Sequence, residues 1–253
     1  MLNGKTILVT GASKGIGQAI AREAAAQGAR VVAHYGSDRA GVEETMADTP
    51  ADRAILVQGD LSKPGGADAL FAQAIAETGG LDGIVNNAAT MQFAGGIDDP
   101  DAEWDAVWQQ TFQVNVFAAS ELLRAAVRHM RPRGGGEIVG ISSWAAQKGV
   151  GNPRTIAYAA SKAAFKAALQ TVATGYARDG IRTYIIAPGV VDTQMSRNFA
   201  ESQGGRAVVE DRLVMGEFVP PSDIASLAAF CLSGRCRHLS GATLDINGAS
   251  YIR

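Results

Sequence analysis

The fold class predicted for this 253-residue chain is α/β: a doubly wound parallel sheet with helices on both faces. Three observations predict it. Short apolar, β-branched runs alternate along the whole chain with longer Ala-rich stretches at helical spacing, and a repeated β-α order gives parallel strands joined by helices. Most of the short runs are apolar throughout rather than alternating apolar and polar, as strands covered on both faces are. The chain also holds 30 glycines, the composition of a fold with many tight strand-to-helix turns.

In chain order, the strand candidates are 6–10, 30–34, 54–58, 83–86, 137–141, 182–187 and 243–246. Helical stretches are expected at 17–27, 40–46, 66–77, 101–130, 156–178 and 222–232. Asp98-Asp99-Pro100 should open the fourth helix, with an Asp as cap and Pro near the first helical position. Trp104, Val107, Trp108, Phe112 and Asn115 follow at helical spacing, and the two Trp read as core or subunit-contact residues. The least regular stretch, 192–217, carries charges and a Gly pair between a strand and a helix, and reads as a substrate lid. With no linker, repeat or composition break, residues 1–253 are expected to form a single domain.

Composition excludes several classes. Hydrophobic residues make up 47% of the chain and charged residues 19%, enough for a sizeable core. A net charge of −2 without a basic stripe argues against a nucleic-acid partner. Cys231 and Cys236 lie too close along one helix for an easy disulfide, which suits a reducing compartment. His34, His129 and His238 are far apart without ligand spacing, so no metal site is expected. The first residues enter a strand-like run, and no apolar stretch is long enough to span a bilayer. A cytoplasmic protein without a membrane partner is the expectation.

Thr10-Gly11-Ala12-Ser13-Lys14-Gly15-Ile16-Gly17 follows the first strand candidate and opens the first helix. Gly11 permits a tight turn, Gly15 lets backbone approach a pyrophosphate, and Gly17 lets the helix pack close to the sheet. That context points to a dinucleotide. NAD sites place an acidic residue at the end of the second strand, on the ribose 2′-hydroxyl. Here Tyr35 stands at that place, Ser37 and Arg39 follow, and Lys14 lies in the facing loop. A hydroxyl and cations suit a 2′-phosphate, so NADP(H) is favoured over NAD(H), with Asp38 the residue that would serve a ribose hydroxyl instead. Asp60, with Leu61 beside it, is placed to meet the adenine edge after the third strand.

Tyr158 and Lys162 stand four apart in Tyr-Ala-Ala-Ser-Lys, one turn apart on one helix face. A phenol is a useful acid or base if its pKa falls from roughly 10 towards neutrality, a shift of ~3 units or about 4 kcal/mol. A cation at ~4 Å in an effective dielectric near 20 supplies about that much.

With the glycine loop, Asn86-Asn87-Ala88, Asn115, Ser142-Ser143 and Tyr158/Lys162 in this order, the whole chain resembles the short-chain dehydrogenase/reductase (SDR) family, and is similar to its 3-oxoacyl-(acyl-carrier-protein) reductases. The resemblance implies a Rossmann-type sheet of seven parallel strands and hydride transfer between NAD(P) and a carbonyl or secondary alcohol. It implies that Tyr158 is the general acid in reduction and the base in oxidation. Lys162 would lower the Tyr158 pKa and hold the nicotinamide ribose. Ser143, rather than its neighbour Ser142, would bind the substrate oxygen, and Asn115 would position a relay water. Asn87, Ala88 and Ala89 would support the cofactor cleft, and Pro188, Gly189, Val191 and Thr193 the nicotinamide side, with Ile186 nearby. Ala89 replaces a family Gly, which a negative φ would allow. Asn247 replaces a Gly in the C-terminal turn, and the segment from Ser143 to Tyr158 is about two residues longer than in most members.

Substrate-pocket candidates are Met91, Phe93, Trp144, Gln147, Asn152, Val190, Met195 and Phe199, a mixed apolar and amide set suited to a small-molecule ketone or alcohol. Arg128, Arg131 and Arg133 read either as partners of a helix C-terminus or, by the resemblance, as a surface for an acyl carrier protein. The resemblance further implies a homotetramer. Carbonyl reduction, 3-oxoacyl reduction included, is the favoured activity. Oxidation of a sugar, polyol or other secondary alcohol is the alternative, and a non-catalytic cofactor sensor is the reading from a different class.

Overall fold

The strands run Thr6–Val9 (β1), Arg30–Tyr35 (β2), Ala54–Gln58 (β3), Gly83–Asn86 (β4), Gly136–Ile141 (β5), Ile181–Pro188 (β6) and Thr243–Ile246 (β7). In the computed structural model, which describes residues Met1–Arg253, they form one sheet in the order β3-β2-β1-β4-β5-β6-β7. Every neighbouring pair is parallel. The chain winds outwards from β1 to β3, then returns to lay β4 on the other side of β1. Loops after β1 and β4 therefore diverge, and a crevice opens at the carboxyl edge of the sheet.

Helices Gly15–Ala26 (α1), Arg39–Met46 (α2) and Pro221–Leu232 (α10) cover one face, and their Ala-rich inner sides meet Val9, Val31, Val139 and Ile186 of the sheet. Gly66–Thr78 (α3), Ala119–Met130 (α5) and Ile156–Gly175 (α7) cover the other, where Leu122, Met130, Phe165 and Leu169 are packed against Leu8, Ile84 and Ile138. Strands with both faces buried explain the unbroken apolar runs.

Three expectations change. The stretch 101–130 is not uniform: Asp101–Phe112 (α4) passes through a π-helical turn, Gln113–Ala118, into α5. Asn115 sits in that wide turn, 2% exposed. Its Oδ1 accepts from Thr90 N at 2.8 Å, and its Nδ2 donates to Thr90 O at 2.9 Å and Ser161 Oγ at 3.0 Å. An inserted residue lets a helix side chain pair with extended backbone without ending the helix. Next, neither Asp98 nor Asp99 caps α4. Pro100 is the N-cap position, and Asp99 accepts instead from Gly96 N at 2.9 Å and Arg154 Nε at 3.3 Å. Last, the stretch expected to be irregular folds into Gln194–Ser202 (α8) and Arg206–Glu210 (α9). Thr193 caps α8, and Val190, Ala200, Val209 and Phe218 close a small cluster beneath the pair. Two further short helical pieces, Ala145–Lys148 (α6) and the turn Pro153–Thr155, fill the extended segment between Ser143 and Tyr158.

Candidate active site

A cleft of about 570 Å³ lies along the carboxyl ends of β1, β2, β3, β4, β5 and β6. Its floor at one end is the glycine loop. Gly11, Lys14, Gly15 and Ile16 line it, while Gly17 lies behind, against Gly11 O and Asn87 Nδ2. Gly11 and Gly15 take φ of +68° and +59°, and a Cβ on Gly15 would stand 3.1 Å from Thr193 Cγ2. The loop is therefore a cradle that side chains would fill, roofed by the start of α8. Ser13 is turned away, its Oγ donating to Asp38 O at 2.9 Å.

At the end of β2 the expected residues separate. Ser37 lines the cleft, and Lys14 faces it from the glycine loop. Tyr35 is buried in the core. Arg39 lies outside the lining, exposed and paired with Glu43 at 2.8 Å. Asp38 accepts from Gly41 N at 2.9 Å as the cap of α2, so its carboxylate is spent on the helix rather than free for a ribose. Asp60 and Leu61 line the next stretch, with Asp60 accepting from Ser62 N at 3.0 Å. The Ser62 hydroxyl, which also donates to it, and that backbone N–H hold the Asp60 carboxyl below the usual range.

Beyond β4, Asn87 lines the cleft and donates through Nδ2 to Thr10 O at 2.8 Å; it ties the β4 loop to the glycine loop, and Ala88 and Ala89 continue the wall. Ala89 has no positive φ, as its replacement of Gly requires. Pro188, Gly189, Val191 and Thr193 form the opposite wall.

Ser143, Tyr158 and Lys162 meet at the far end of the cleft. Ser143 follows β5, and Tyr158 and Lys162 come from the first two turns of α7. Burial pushes the Tyr158 phenol above its usual pKa, and a hydrogen bond with Ser143 opposes that rise. The Lys162 ammonium stands 5.8 Å from the centre of the Tyr158 ring, on the same side of α7. In the chain itself burial is the larger influence on the phenol, and the Ser143 hydrogen bond the smaller. Ser142 Oγ donates to Lys162 O at 3.3 Å, which leaves Ser143 as the hydroxyl beside Tyr158.

Lys162 is 3% exposed, and burial lowers its pKa to about 8. Its Nζ donates to Ile141 O at 2.8 Å, one acceptor for three N–H groups. A buried ammonium at one end of a cleft whose other end is a glycine cradle fits a ligand carrying both hydroxyls and phosphates. Asn115 stands behind this end, joined to α7 through Ser161.

Of the substrate candidates, Met195 lines the cleft. Trp144 and Phe199 pack against the cluster around Val190, and Phe93 stacks on Phe199 with centroids 6.4 Å apart. Gln147 donates to Asp245 at 2.7 Å and Asn152 caps the following turn, so neither faces the cleft. Sequence reasoning missed His34, Gly59, Thr90, Val114, Gln194 and Ser196, all of which line it. The last two follow the Thr193 cap and were legible as a helix start. No group of His, Cys, Asp and Glu is placed to hold a metal ion.

The family model described as enoyl-(acyl carrier protein) reductase matches residues 11–249. Over 250 residues the chain is 37% identical to a 3beta-hydroxysteroid dehydrogenase of Eggerthella lenta, covering 98% of this chain and 94% of the relative. It is 34% identical over 255 residues to an L-rhamnose 1-dehydrogenase (NAD(P)(+)) of Sphingomonas, covering 100% and 98%. A solved 3-oxoacyl (acyl-carrier-protein) reductase from Agrobacterium tumefaciens C58, with NADP bound, superposes with a TM-score of 0.86 at 30% identity, covering 98% and 94%. The chain belongs to the short-chain dehydrogenase/reductase family, oxidoreductases that act between CH–OH and C=O with a nicotinamide dinucleotide.

Proposed function

We propose that the chain is an NADPH-preferring carbonyl reductase, with Tyr158 as proton donor, Ser143 as the hydroxyl that binds the substrate oxygen, and Lys162 as the group that holds the cofactor ribose. The convergence of these three side chains at the end of one glycine-cradled cleft carries the reading. The nicotinamide supplies the hydride. As it arrives, the carbonyl oxygen gains negative charge, and two hydroxyl donors in a water-poor site stabilise that charge. Tyr158 keeps its proton until then, since burial favours the neutral phenol. The N–H groups of Lys162 not used by Ile141 would donate to ribose hydroxyls of the bound cofactor, and Asn115 anchors α7 from behind.

Lys14 and Ser37 support the preference for the 2′-phosphate: both line the adenosine end, and no carboxylate ends β2. Arg39 lies outside the lining, in an exposed pair with Glu43, so Lys14 and Ser37 carry the reading without it. For the substrate we propose a 3-oxoacyl thioester. The sugar or polyol alternative stays because curated relatives include rhamnose and glucose dehydrogenases. An acyl carrier protein would meet Arg128 and Arg133 where α5 leads into β5, at the edge of the sheet opposite the cleft, and Arg131 is already paired with Asp179 at 3.0 Å. A small thioester therefore fits this chain better than a carrier-bound one docked on the same subunit. The partly exposed row Trp104, Trp108 and Phe112, with Phe117 beside it, supports a homotetramer joined through α4 and α5. No helix is long and apolar enough to cross a membrane. Two free cysteines suit a cytoplasmic home. We carry residues 192–217 as a lid over the substrate end.

The test is initial-rate oxidation of NADPH and of NADH with an acetoacetyl thioester and with a panel of sugar lactones and small ketones. NADPH-selective thioester turnover is expected. Turnover only with sugars, in the oxidative direction with NAD, would replace the proposal by the alternative.

A further inference from the structure

His34 lies at the end of β2, 3% exposed, where three loops meet. The Gly11 N–H donates to its Nδ1 at 3.1 Å. Its Nε2 stands 3.1 Å from Gly59 O. The donor on Gly11 decides the tautomer: Nδ1 must offer a lone pair, so the ring proton sits on Nε2 and is donated to the Gly59 carbonyl. Main-chain bonds reinforce both links, from Ala12 N to His34 O at 2.8 Å and from Gly59 N to Tyr35 O at 3.0 Å. Gly59 leaves room for the ring, since a Cβ there would stand 3.3 Å from Nε2. Burial keeps the imidazole neutral by lowering its pKa, the form that this pair of bonds needs.

Gly11 is the first glycine of the cradle, at a φ of +68°. Its half-buried N–H, on the cleft wall, would lose its protein acceptor if His34 were not there. Gly59 precedes Asp60, which lines the same end of the cleft. One imidazole thus braces both loops that flank the adenosine end.

We propose that His34 is a positioning residue of the dinucleotide site: in its Nε2–H form it sets the orientation of the Gly11 turn and of the Gly59–Asp60 loop, and through them the affinity for the cofactor. The inference rests on the cofactor reading above. Two substitutions separate its two bonds. An Asn amide reaches about as far as Nδ1 and can accept from Gly11. A Gln amide reaches about as far as Nε2 and can donate to Gly59 but leaves Gly11 unmet.

The experiment measures the NADPH dissociation constant by fluorescence, cofactor KM, kcat and melting temperature for the full chain and for His34→Gln and His34→Asn. For His34→Gln, Kd and cofactor KM should rise about tenfold with kcat within twofold, the effect of one buried hydrogen bond. His34→Asn, which keeps the Gly11 bond and loses the Gly59 bond, should raise Kd and cofactor KM by about threefold, less than His34→Gln. His34→Gln binding NADPH as tightly as the parent overturns the inference, as does a parallel fall of kcat and melting temperature in both variants. A parent chain that binds neither NADPH nor NADH would sink the cofactor reading and this inference together. Parent binding beside an unmoved His34→Gln would sink the inference alone.

Discussion

Replacing Lys162 by Met should make the protein more stable while removing its activity. Burial pulls the Lys162 pKa from 10.5 to about 8. At about 1.36 kcal/mol per unit, keeping the ammonium charged in the fold costs about 3 kcal/mol at neutral pH. The lost hydrogen bond to Ile141 O returns about 1 kcal/mol of that, so Lys162→Met should gain about 2 kcal/mol at pH 7. Because the folded pKa lies below the unfolded one, the unfolded chain binds more protons between pH 8 and 10.5. The cost is complete below pH 8 and fades as pH rises towards 10.5, and the advantage of Lys162→Met should shrink with it. Tyr158 titrates higher still and is present in both proteins, so it largely cancels. Urea melts at pH 7 and pH 9.5, at equal protein concentration, measure the difference. At pH 7 the gain should raise the melting temperature by about 4–8 °C. A Lys162→Met protein less stable than its parent at pH 7, or a gap that widens at pH 9.5, would refute the reasoning. A site that keeps a costly charge is one where stability has been given up for function.

Lys14→Glu should cut the preference for NADPH over NADH by tenfold or more in the ratio of kcat/KM values, whereas Arg39→Ala should move it less than twofold, because that guanidinium lies outside the lining, in an exposed pair with Glu43. Ser143→Ala should lower kcat by roughly 10²–10³-fold, the usual loss of one donor to a developing oxyanion, with the NADPH dissociation constant unchanged by direct titration. Asn115→Leu should cost about 2–4 kcal/mol in urea melts, since it leaves Thr90 N and O and Ser161 Oγ without their buried partner.

Much of this architecture was legible before any coordinates. The expected strands 54–58, 83–86 and 243–246 coincide with β3, β4 and β7, because an apolar run between turn residues leaves little freedom about where a buried strand begins. The glycine loop and the Ser143, Tyr158 and Lys162 set were readable because their spacing is local. What stayed hidden depends on neighbours distant in sequence. A π-helical turn at Gln113–Ala118 adds one residue to a long helix, and apolar periodicity over 101–130 barely registers it. Asp99 looked like a cap but found Gly96 N and Arg154 within reach instead. The polar surfaces of α8 and α9 gave them the look of a loop, although Thr193 followed by Met195, Phe199 and Ala200 carries a cap and an apolar stripe. Arg39 and Lys14 looked alike as cations; only the fold sends one to Glu43 and the other to the cleft. His34 gave no signal at all, since its two partners come from the loops after β1 and β3.

The central claim is that Tyr158 gives its proton to the reduced carbonyl. The most direct measurement is kcat of Tyr158→Phe on an acetoacetyl thioester, or on whichever carbonyl substrate the parent turns over, with the NADPH dissociation constant measured on the same sample. Loss of kcat by 10²-fold or more, with cofactor affinity and melting temperature held, is the predicted result. A Tyr158→Phe protein that turns over at close to the parent rate would contradict the account.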